Sequence, residues 1–179
     1  MIDIPTITTE RLTLRAPSAS DFDAYAAFRG SDRAAILGGP YSREQAFDQL
    51  SAILGHWVLR GYGRWMIADK FTDVPLGIAG PFFPEGWPEP EIAWSVFENA
   101  EGKGIAYEAA MASRGYAYEV LGWDTAISLI TSKNHRSIKL AERMGAKPDG
   151  LFDHPDYGNT HPQFGDLHVY RHPSPEEIS

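Results

Sequence analysis

Apolar and polar residues alternate, or recur at helical spacing, along most of this chain. Residues 11–15 alternate between the two classes, which is typical of a strand that buries one face. Residues 125–131 form a nearly continuous apolar run, as expected for a central strand covered on both faces. Similar patterns and their flanking turns predict four more strands, at 64–68, 76–80, 91–97 and 167–170.

Helices are predicted where apolar side chains recur every three or four residues behind a capping residue. Ser20 can cap a short helix, and Ser42 with Gln45 has the spacing of a capping box. Glycines at the far ends are typical of helix termination. The predicted helices begin near residue 20 and span 42–61, 104–122 and 134–145.

These elements follow one another in the order β-α-α-β-β-β-α-β-α-β. Three consecutive strands with short links predict an antiparallel meander, and the strand, helix and strand between residues 91 and 131 predict a parallel unit. We expect neither linkers nor internal repeats. The fold class is therefore a mixed α/β sheet in a single domain over 1–179, with its core at about 8–171 and a frayed tail at 173–179.

Composition excludes several classes of protein. The 179 residues are 43% hydrophobic and 22% charged, which is ordinary for a globular protein, and no apolar run is long enough for a membrane helix. The absence of cysteine excludes disulfides, a thiol nucleophile and thiolate metal sites. The net charge of −8 argues against a general nucleic-acid binder and is compatible with an amine substrate. We expect a cytoplasmic monomer or homodimer without nucleic-acid or membrane partners.

The stretch from Glu91 to Ala109 carries the first hint of chemistry. It predicts a strand, a turn that contains Gly102 and Gly104, and a long helix. Such a corner presents free backbone N–H groups at the positive end of a helix dipole, which suits an anion, and Lys103 can add a charge. The alternative is a tight connection without a ligand.

Three segments in this order resemble the GCN5-related N-acetyltransferase (GNAT) superfamily, especially its branch around the ribosomal-protein N-terminal acetyltransferases. They are residues 9–15, the corner at 91–109, and Asn134-His-Arg-Ser137-Ile with the later Glu142 and Gly145. The resemblance covers roughly residues 8–171. It implies a central sheet of six to seven strands, about four flanking helices, and a pair of strands splayed by a β-bulge that holds coenzyme A (CoA).

The resemblance further implies transfer of an acetyl group from acetyl-CoA to an amine, without a metal. The pyrophosphate of CoA would rest on the turn, and the pantetheine amides would pair with the strand edge around Val96. Asn134 would bond the pantetheine arm, although it could instead be a simple helix cap. The implied cofactor-binding residues are Val96, Gly102, Lys103, Gly104, Ile105, Ala106 and Asn134.

Catalysis requires a base for the ammonium, a donor for the oxyanion and a proton for the leaving thiolate. Many relatives supply that last proton from a helix tyrosine, but Ala141 stands at the matching position. Ser137, one turn earlier, is the candidate replacement, unless it only packs or caps. Glu91 is the candidate base acting through water, unless it is a solvated carboxylate at a strand end. A backbone N–H near Val96 could polarise the thioester carbonyl.

Other features leave the substrate and one alternative function open. Glu101 replaces a usual Gln or Arg, so we expect its side chain to point away from phosphate, and Tyr107 could alter the phosphate pocket. The histidines at 154, 161 and 168 match no standard zinc spacing. Three tryptophans, at 65, 87 and 94, could line an acceptor cleft or the core. The primary amine acceptor could be a protein N-terminus or a small molecule, and the alternative is a non-catalytic acyl-CoA sensor.

Overall fold

The computed structural model describes residues 3–179, which form eight strands and five α-helices. The strands are β1 (Ile7–Thr8), β2 (Leu12–Arg15), β3 (Trp65–Asp69), β4 (Pro75–Phe82), β5 (Glu91–Val96), β6 (Ile127–Ile130), β7 (Lys147–Leu151) and β8 (His168–Arg171). The helices are α1 (Phe22–Arg29), α2 (Arg43–Arg60), α3 (Ile105–Glu119), α4 (His135–Arg143) and α5 (Pro175–Ile178). Three short 3-10 helices lie at Ala19–Asp21, Asp32–Leu37 and Glu98–Ala100.

All eight described strands belong to one mixed sheet in the order β1-β2-β3-β4-β5-β6-β8-β7. The run β3-β4-β5 is antiparallel, which confirms the predicted meander, and β5 pairs with β6 in parallel. The prediction of six to seven strands was too low. Strand β1 has only two residues, and β7 is exposed along its whole length and contains Pro148 and Gly150, so neither shows a buried face in the sequence.

Both faces of the sheet are covered by helices. On one face α1 and α2 pack around Met66 and Ile78, and on the other α3 packs near Trp65, Ile67 and Ala79. Since successive strand residues point to opposite faces, β3 contributes to both clusters. The predicted α/β class with helices on a mixed sheet is therefore confirmed.

The segment expected to be frayed contains a helical turn. Ser174 caps α5 by accepting a hydrogen bond from the Glu177 amide, and the Glu177 carboxylate accepts one from the Ser174 amide. Pro175 occupies the first turn, where its missing N–H costs no hydrogen bond. These three residues give the tail a capped turn that the expectation did not include.

Hydropathy along the helices bears on membrane insertion. Across residues 3–179, each helix is either too short or too polar to cross a lipid bilayer.

A buried ion pair fixes the start of α1 to the sheet. Asp21, 1% exposed, accepts two hydrogen bonds from the Arg15 guanidinium, at 2.8 and 2.9 Å. Burial opposes the charge on Asp21, but the bonds from Arg15 and Ser18 outweigh burial and lower its pKa. Arg15 also pairs with the exposed Asp73, so it joins the 3-10 helix at Ala19–Asp21 and the connection between β3 and β4 to β2.

Replacing Asp21 by alanine should lower the free energy of unfolding by about 3 kcal/mol, because Arg15 loses its buried partner. The difference in unfolding free energy between the wild type and the variant should have its full size above about pH 4. It should shrink as the pH falls through the lowered pKa of Asp21. Urea unfolding at several pH values measures it. The matched control is Asp23→Ala, which breaks an exposed pair with Arg43 and should cost less than about 1 kcal/mol. Equal losses in the two variants would contradict the assignment.

Candidate active site

The parallel strands β5 and β6 separate soon after they meet. Within residues 3–179 they share a single register pair, Glu91 with Ile127. Ser128 Oγ donates to the Ile92 carbonyl at 2.6 Å, so that carbonyl faces β6. Main-chain groups alternate along a strand, and those of Trp94 and Val96 therefore face the widening gap. The result is an open strand edge.

No β-bulge on β5 is required for this separation. The pairing of β4 with β5 keeps a continuous register from Gly77 and Val96 to Phe82 and Glu91, in contrast to the bulge that the resemblance implied. Side chains fill the gap instead. The Glu91 carboxylate accepts a hydrogen bond from the Leu129 amide at 2.9 Å, in place of a main-chain carbonyl.

A buried polar chain supports the gap from behind. Ser128 has one hydroxyl hydrogen and donates it to the Ile92 carbonyl. The hydroxyl oxygen must therefore accept the hydrogen bond from His172 Nε2, 2.9 Å away. Arg114 Nη1 lies 3.5 Å from His172 Nδ1. Burial and the neighbouring Arg114 lower the pKa of His172 to about 3. The imidazole is therefore neutral at physiological pH and holds one tautomer, with its proton on Nε2.

The first turn of α3 forms one end of a groove beside the open edge. Gly104 precedes the helix with a φ of 75°, and none of the described side chains caps this end. The first three N–H groups of a helix have no intrahelical acceptor. Predicted cofactor residues line this part of the groove, a space of about 590 Å³: Val96, Gly102, Gly104, Ile105 and Ala106. Their arrangement suits an anion at the helix N-terminus.

Basic side chains line the groove from α4, and sequence reasoning missed them. Arg136, Lys139 and Arg143 recur at helical spacing, so they share one face of α4 along the groove. That spacing was a signal available in the sequence. The predicted Lys103 is not among the residues that line this space, and its ammonium donates to the Asn99 carbonyl at 2.7 Å. The Arg143 guanidinium lies 4.0 Å from the centre of the Tyr107 ring.

Glu101 was expected to point away from phosphate, but the structure places it in the lining of the groove. Its carboxylate pairs with both Arg33 and Arg136, which line the groove with it. The hydrogen bond from Arg33 is the main cause of the lowered pKa of Glu101. The carboxylate therefore neutralises two guanidiniums that a phosphate could otherwise bind, and it connects the 3-10 helix at Asp32–Leu37 to α4.

Asn134 and Ser137 meet where the groove enters a smaller cavity. Asn134 Oδ1 caps α4 by accepting from the Ser137 amide at 3.2 Å, which leaves its amide N–H groups for other partners. Ser137 Oγ accepts from Trp94 Nε1 at 3.2 Å, so its own hydrogen is free to be donated. Ala141, at the position matched to the tyrosine of many relatives, has no hydroxyl and is fully buried.

Glu91 lies in this smaller cavity, whose volume is about 220 Å³ and which Asn134 and Ser137 also line. The side chain is 5% exposed and accepts hydrogen bonds from Trp87 Nε1 and the Leu129 amide. Burial raises its pKa to about 7, although both hydrogen bonds favour the charged form. A carboxylate with that pKa can accept a proton near neutral pH.

Two of the three singled-out tryptophans line the cavity. Trp87 and Trp94 do so, whereas Trp65 is buried in the core, packs against Trp57 and donates to the Pro5 carbonyl. The cleft therefore has aromatic walls, but the sequence alone did not separate Trp65 from the other two.

A tandem repeat forms the loop over the cavity, contrary to the expectation of no repeats. His154-Pro-Asp-Tyr-Gly158 and His161-Pro-Gln-Phe-Gly165 fold into the same turn. In each turn the histidine and glycine exchange two main-chain bonds, Nδ1 accepts from the amide two residues on, and the imidazole stacks on the aromatic ring. The Gln163 side chain donates to the Leu37 carbonyl and the Tyr41 hydroxyl on the opposite side of the cavity, so the loop crosses over the cavity.

The histidines at 154 and 161 form these turns, and His168 lies beside Asp166. The rings of His154 and His161 are 6.4 Å apart, and His168 Nε2 lies 3.1 Å from Asp166. Among residues 3–179, no three His, Asp or Glu side chains are close enough together to bind a metal ion.

Comparison with known proteins agrees with this geometry. Residues 11–147 match the acetyltransferase (GNAT) domain family. The fold superposes on an acetyltransferase from Agrobacterium tumefaciens with a TM-score of 0.84 and 35% identity, over 96% of each chain. A protein from Bordetella pertussis assigned to the GNAT family aligns with a TM-score of 0.76 and 26% identity, over 94% of this chain and 99% of that one.

Ribosomal-protein N-acetyltransferases are also structural neighbours, at low identity. One is RimL, a ribosomal-protein α-N-acetyltransferase in complex with CoA, with 18% identity and a TM-score of 0.72 over 95% of this chain and 98% of that one. At that identity the likeness is one of fold. The family match over most of the chain and the Agrobacterium relative establish more: this chain belongs to the GNAT acetyltransferases and is an acetyltransferase enzyme.

Proposed function

We propose that this enzyme moves the acetyl group of acetyl-CoA directly to a primary amine while both substrates are bound. The observation that carries the proposal is the uncapped N-terminus of α3 beside the open edge of β5. An anion can bind the free N–H groups there, and an amide-containing chain can pair with Trp94 and Val96. These two features fit the pyrophosphate and the pantetheine arm of CoA.

The groove and the cavity join at residues that line both, including Trp94, Asn134 and Ser137. Acetyl-CoA bound along the groove brings its thioester to this junction, and the amine enters through the cavity that holds Glu91. The Asn134 amide group is free to donate to the pantetheine arm. A main-chain N–H at the edge of β5, near Val96, stabilises the oxyanion.

The transfer balances with two side chains. Glu91 takes a proton from the ammonium, directly or through water, and the amine nitrogen then forms a bond to the acetyl carbon. The carbon–sulfur bond breaks, and Ser137 donates its hydroxyl proton to the departing thiolate. The second proton that the amine nitrogen loses as the amide forms restores the Ser137 hydroxyl, and Glu91 returns its proton to solvent. Trp94 holds Ser137 Oγ with its indole N–H, which turns the hydroxyl hydrogen away from the indole. No acetyl-enzyme is needed, and turnover also separates this proposal from a non-catalytic acyl-CoA sensor.

Gly104→Val tests the CoA site. A Cβ at this position meets the Arg11 guanidinium at 3.4 Å and crowds the uncapped N–H groups, so CoA affinity should fall by at least about ten-fold. Titration calorimetry with CoA measures it. Gly122→Val is the matched control, because Gly122 has a similar φ of 71° and follows α3 at its other end. Normal CoA affinity in the Gly104 variant would reject the proposed binding mode.

Glu91→Gln tests the base. With a pKa of about 7, the carboxylate should make kcat/KM rise with pH up to about 7 and then level off. The glutamine variant should lose about 100-fold in rate and lack this rise, because an amide cannot take the proton. Rates of CoA release with an amine acceptor from pH 5.5 to 9 measure both. Glu89→Gln changes a nearby carboxylate that pairs with Arg171 and should keep the wild-type pH profile. An unchanged profile in Glu91→Gln would remove Glu91 from the mechanism.

Ser137→Ala tests the proton donor. We expect kcat to fall about 100-fold while the affinity for acetyl-CoA changes much less, since the hydroxyl acts on the departing thiolate. Steady-state rates and calorimetry give the two quantities. Trp94→Phe, which removes only the indole N–H from the ring system, should reduce kcat by a smaller factor. A full rate in Ser137→Ala would leave the serine with a packing role alone.

A further inference from the structure

An unpaired guanidinium lines the acceptor cavity. Arg64 immediately precedes β3 and lines the cavity, and its Cζ lies over the Phe82 ring, 3.9 Å from the ring centre. Among the described residues, none accepts a hydrogen bond from this guanidinium or forms an ion pair with it. An arginine carries five N–H donors and stays charged at any physiological pH.

Arg64 is half-buried, so part of its contact with water is lost. This loss lowers the pKa of Arg64, because a charge withdrawn from water is destabilised. Charges withdrawn from water are normally paired or hydrogen-bonded in proteins. Glu91 shares the cavity, but hydrogen bonds from Trp87 and Leu129 hold its carboxylate. Because Arg64 lines the cavity and has no acceptor among the described residues, its N–H donors are available to a group bound there.

A second guanidinium adds to the positive charge. Arg29 lines the same cavity, stacks 4.4 Å from the centre of the Tyr41 ring and donates to Gln49. Among the described lining residues Glu91 carries the one carboxylate, and its raised pKa leaves it partly protonated near neutral pH. A protein with a net charge of −8 thus has a positively charged acceptor cavity.

We propose that the natural acceptor is a small molecule that carries a carboxylate as well as the reacting amine, and that Arg64 binds this carboxylate. The inference rests on the proposed acetyl transfer and adds its substrate class. A planar guanidinium binds a carboxylate through two parallel hydrogen bonds. The cavity volume of about 220 Å³ is below the range of about 300–1,000 Å³ for sites of drug-sized ligands, so an acceptor of amino-acid size fits best.

The test compares acceptors that differ only in charge. With acetyl-CoA saturating, kcat/KM is measured for the common L-amino acids, for the matching amino-acid amides, and for peptides that have a free N-terminus and an amidated C-terminus. The carboxylates should be preferred by at least about ten-fold. Equal or better rates with amides or peptides would overturn the inference and leave the transferase activity in place.

Variants of Arg64 give a second, independent readout. Arg64→Gln should lower kcat/KM for carboxylate acceptors at least about ten-fold, leave the amides within about two-fold, and leave the affinity for CoA unchanged. Arg64→Lys keeps the charge but cannot form two parallel hydrogen bonds. Its kcat/KM for carboxylate acceptors should therefore lie between the values of the wild type and Arg64→Gln. Arg60→Gln is the control, since Arg60 stacks on Phe83 near the exposed Glu85 at the end of α2.

Two outcomes separate the claims. Equal losses for carboxylates and amides in Arg64→Gln would assign Arg64 a structural role and reject carboxylate recognition. If acetyl-CoA stabilises the protein but no amine of any class is acetylated, the proposed transfer itself fails, and this inference fails with it.

Discussion

The separation of β5 from β6 is the constraint on which the rest of the site depends. Two parallel strands that stayed paired would use their main-chain groups on each other. Here the pair is held at Glu91 and Ile127, and side chains from Glu91 and Ser128 take up the groups next to it. Beyond that point the edge of β5 is free. Because α3 follows β5 and α4 follows β6, both helices begin at the same end of the gap.

Polar side chains concentrate around this gap because main-chain groups that lack a partner strand need other hydrogen-bond partners. The chain from Arg114 through His172 to Ser128 satisfies the buried donors behind the strands. Each member has a partner, and a satisfied buried network favours one arrangement over others. In front of the strands, burial raises the pKa of Glu91, and no residue within 3–179 pairs with the Arg64 guanidinium. Those are the groups with free energy left to gain from a substrate.

Local patterns predicted much of this architecture. The capping residues at Ser42 and Asn134 and the glycine turn before α3 are encoded within a few residues, and so were predictable. Strand β7 was not predicted because none of its side chains is buried. The 3-10 helix at Asp32–Leu37 was not predicted because it lacks apolar residues that recur at helical spacing. The ion pairs of Glu101 join residues 68 and 35 positions apart in the chain, and a distance of that kind is invisible to a local pattern.

The net charge also shows how little a property of the sequence alone says about the functional site. The net charge of −8 is compatible with a cationic acceptor, yet most of the charged residues that line the groove and the cavity are basic. Net charge sums groups over the whole surface, while a bound ligand interacts with the few charges that share its space, where screening is weak. The role proposed for Arg64 depends on the fold, which places Arg64 against Phe82 and in the same cavity as Glu91, two residues that follow it by 18 and 27 positions. In this proposal the chemistry of the acceptor is set by which charges the sheet brings together, and not by how many the chain contains.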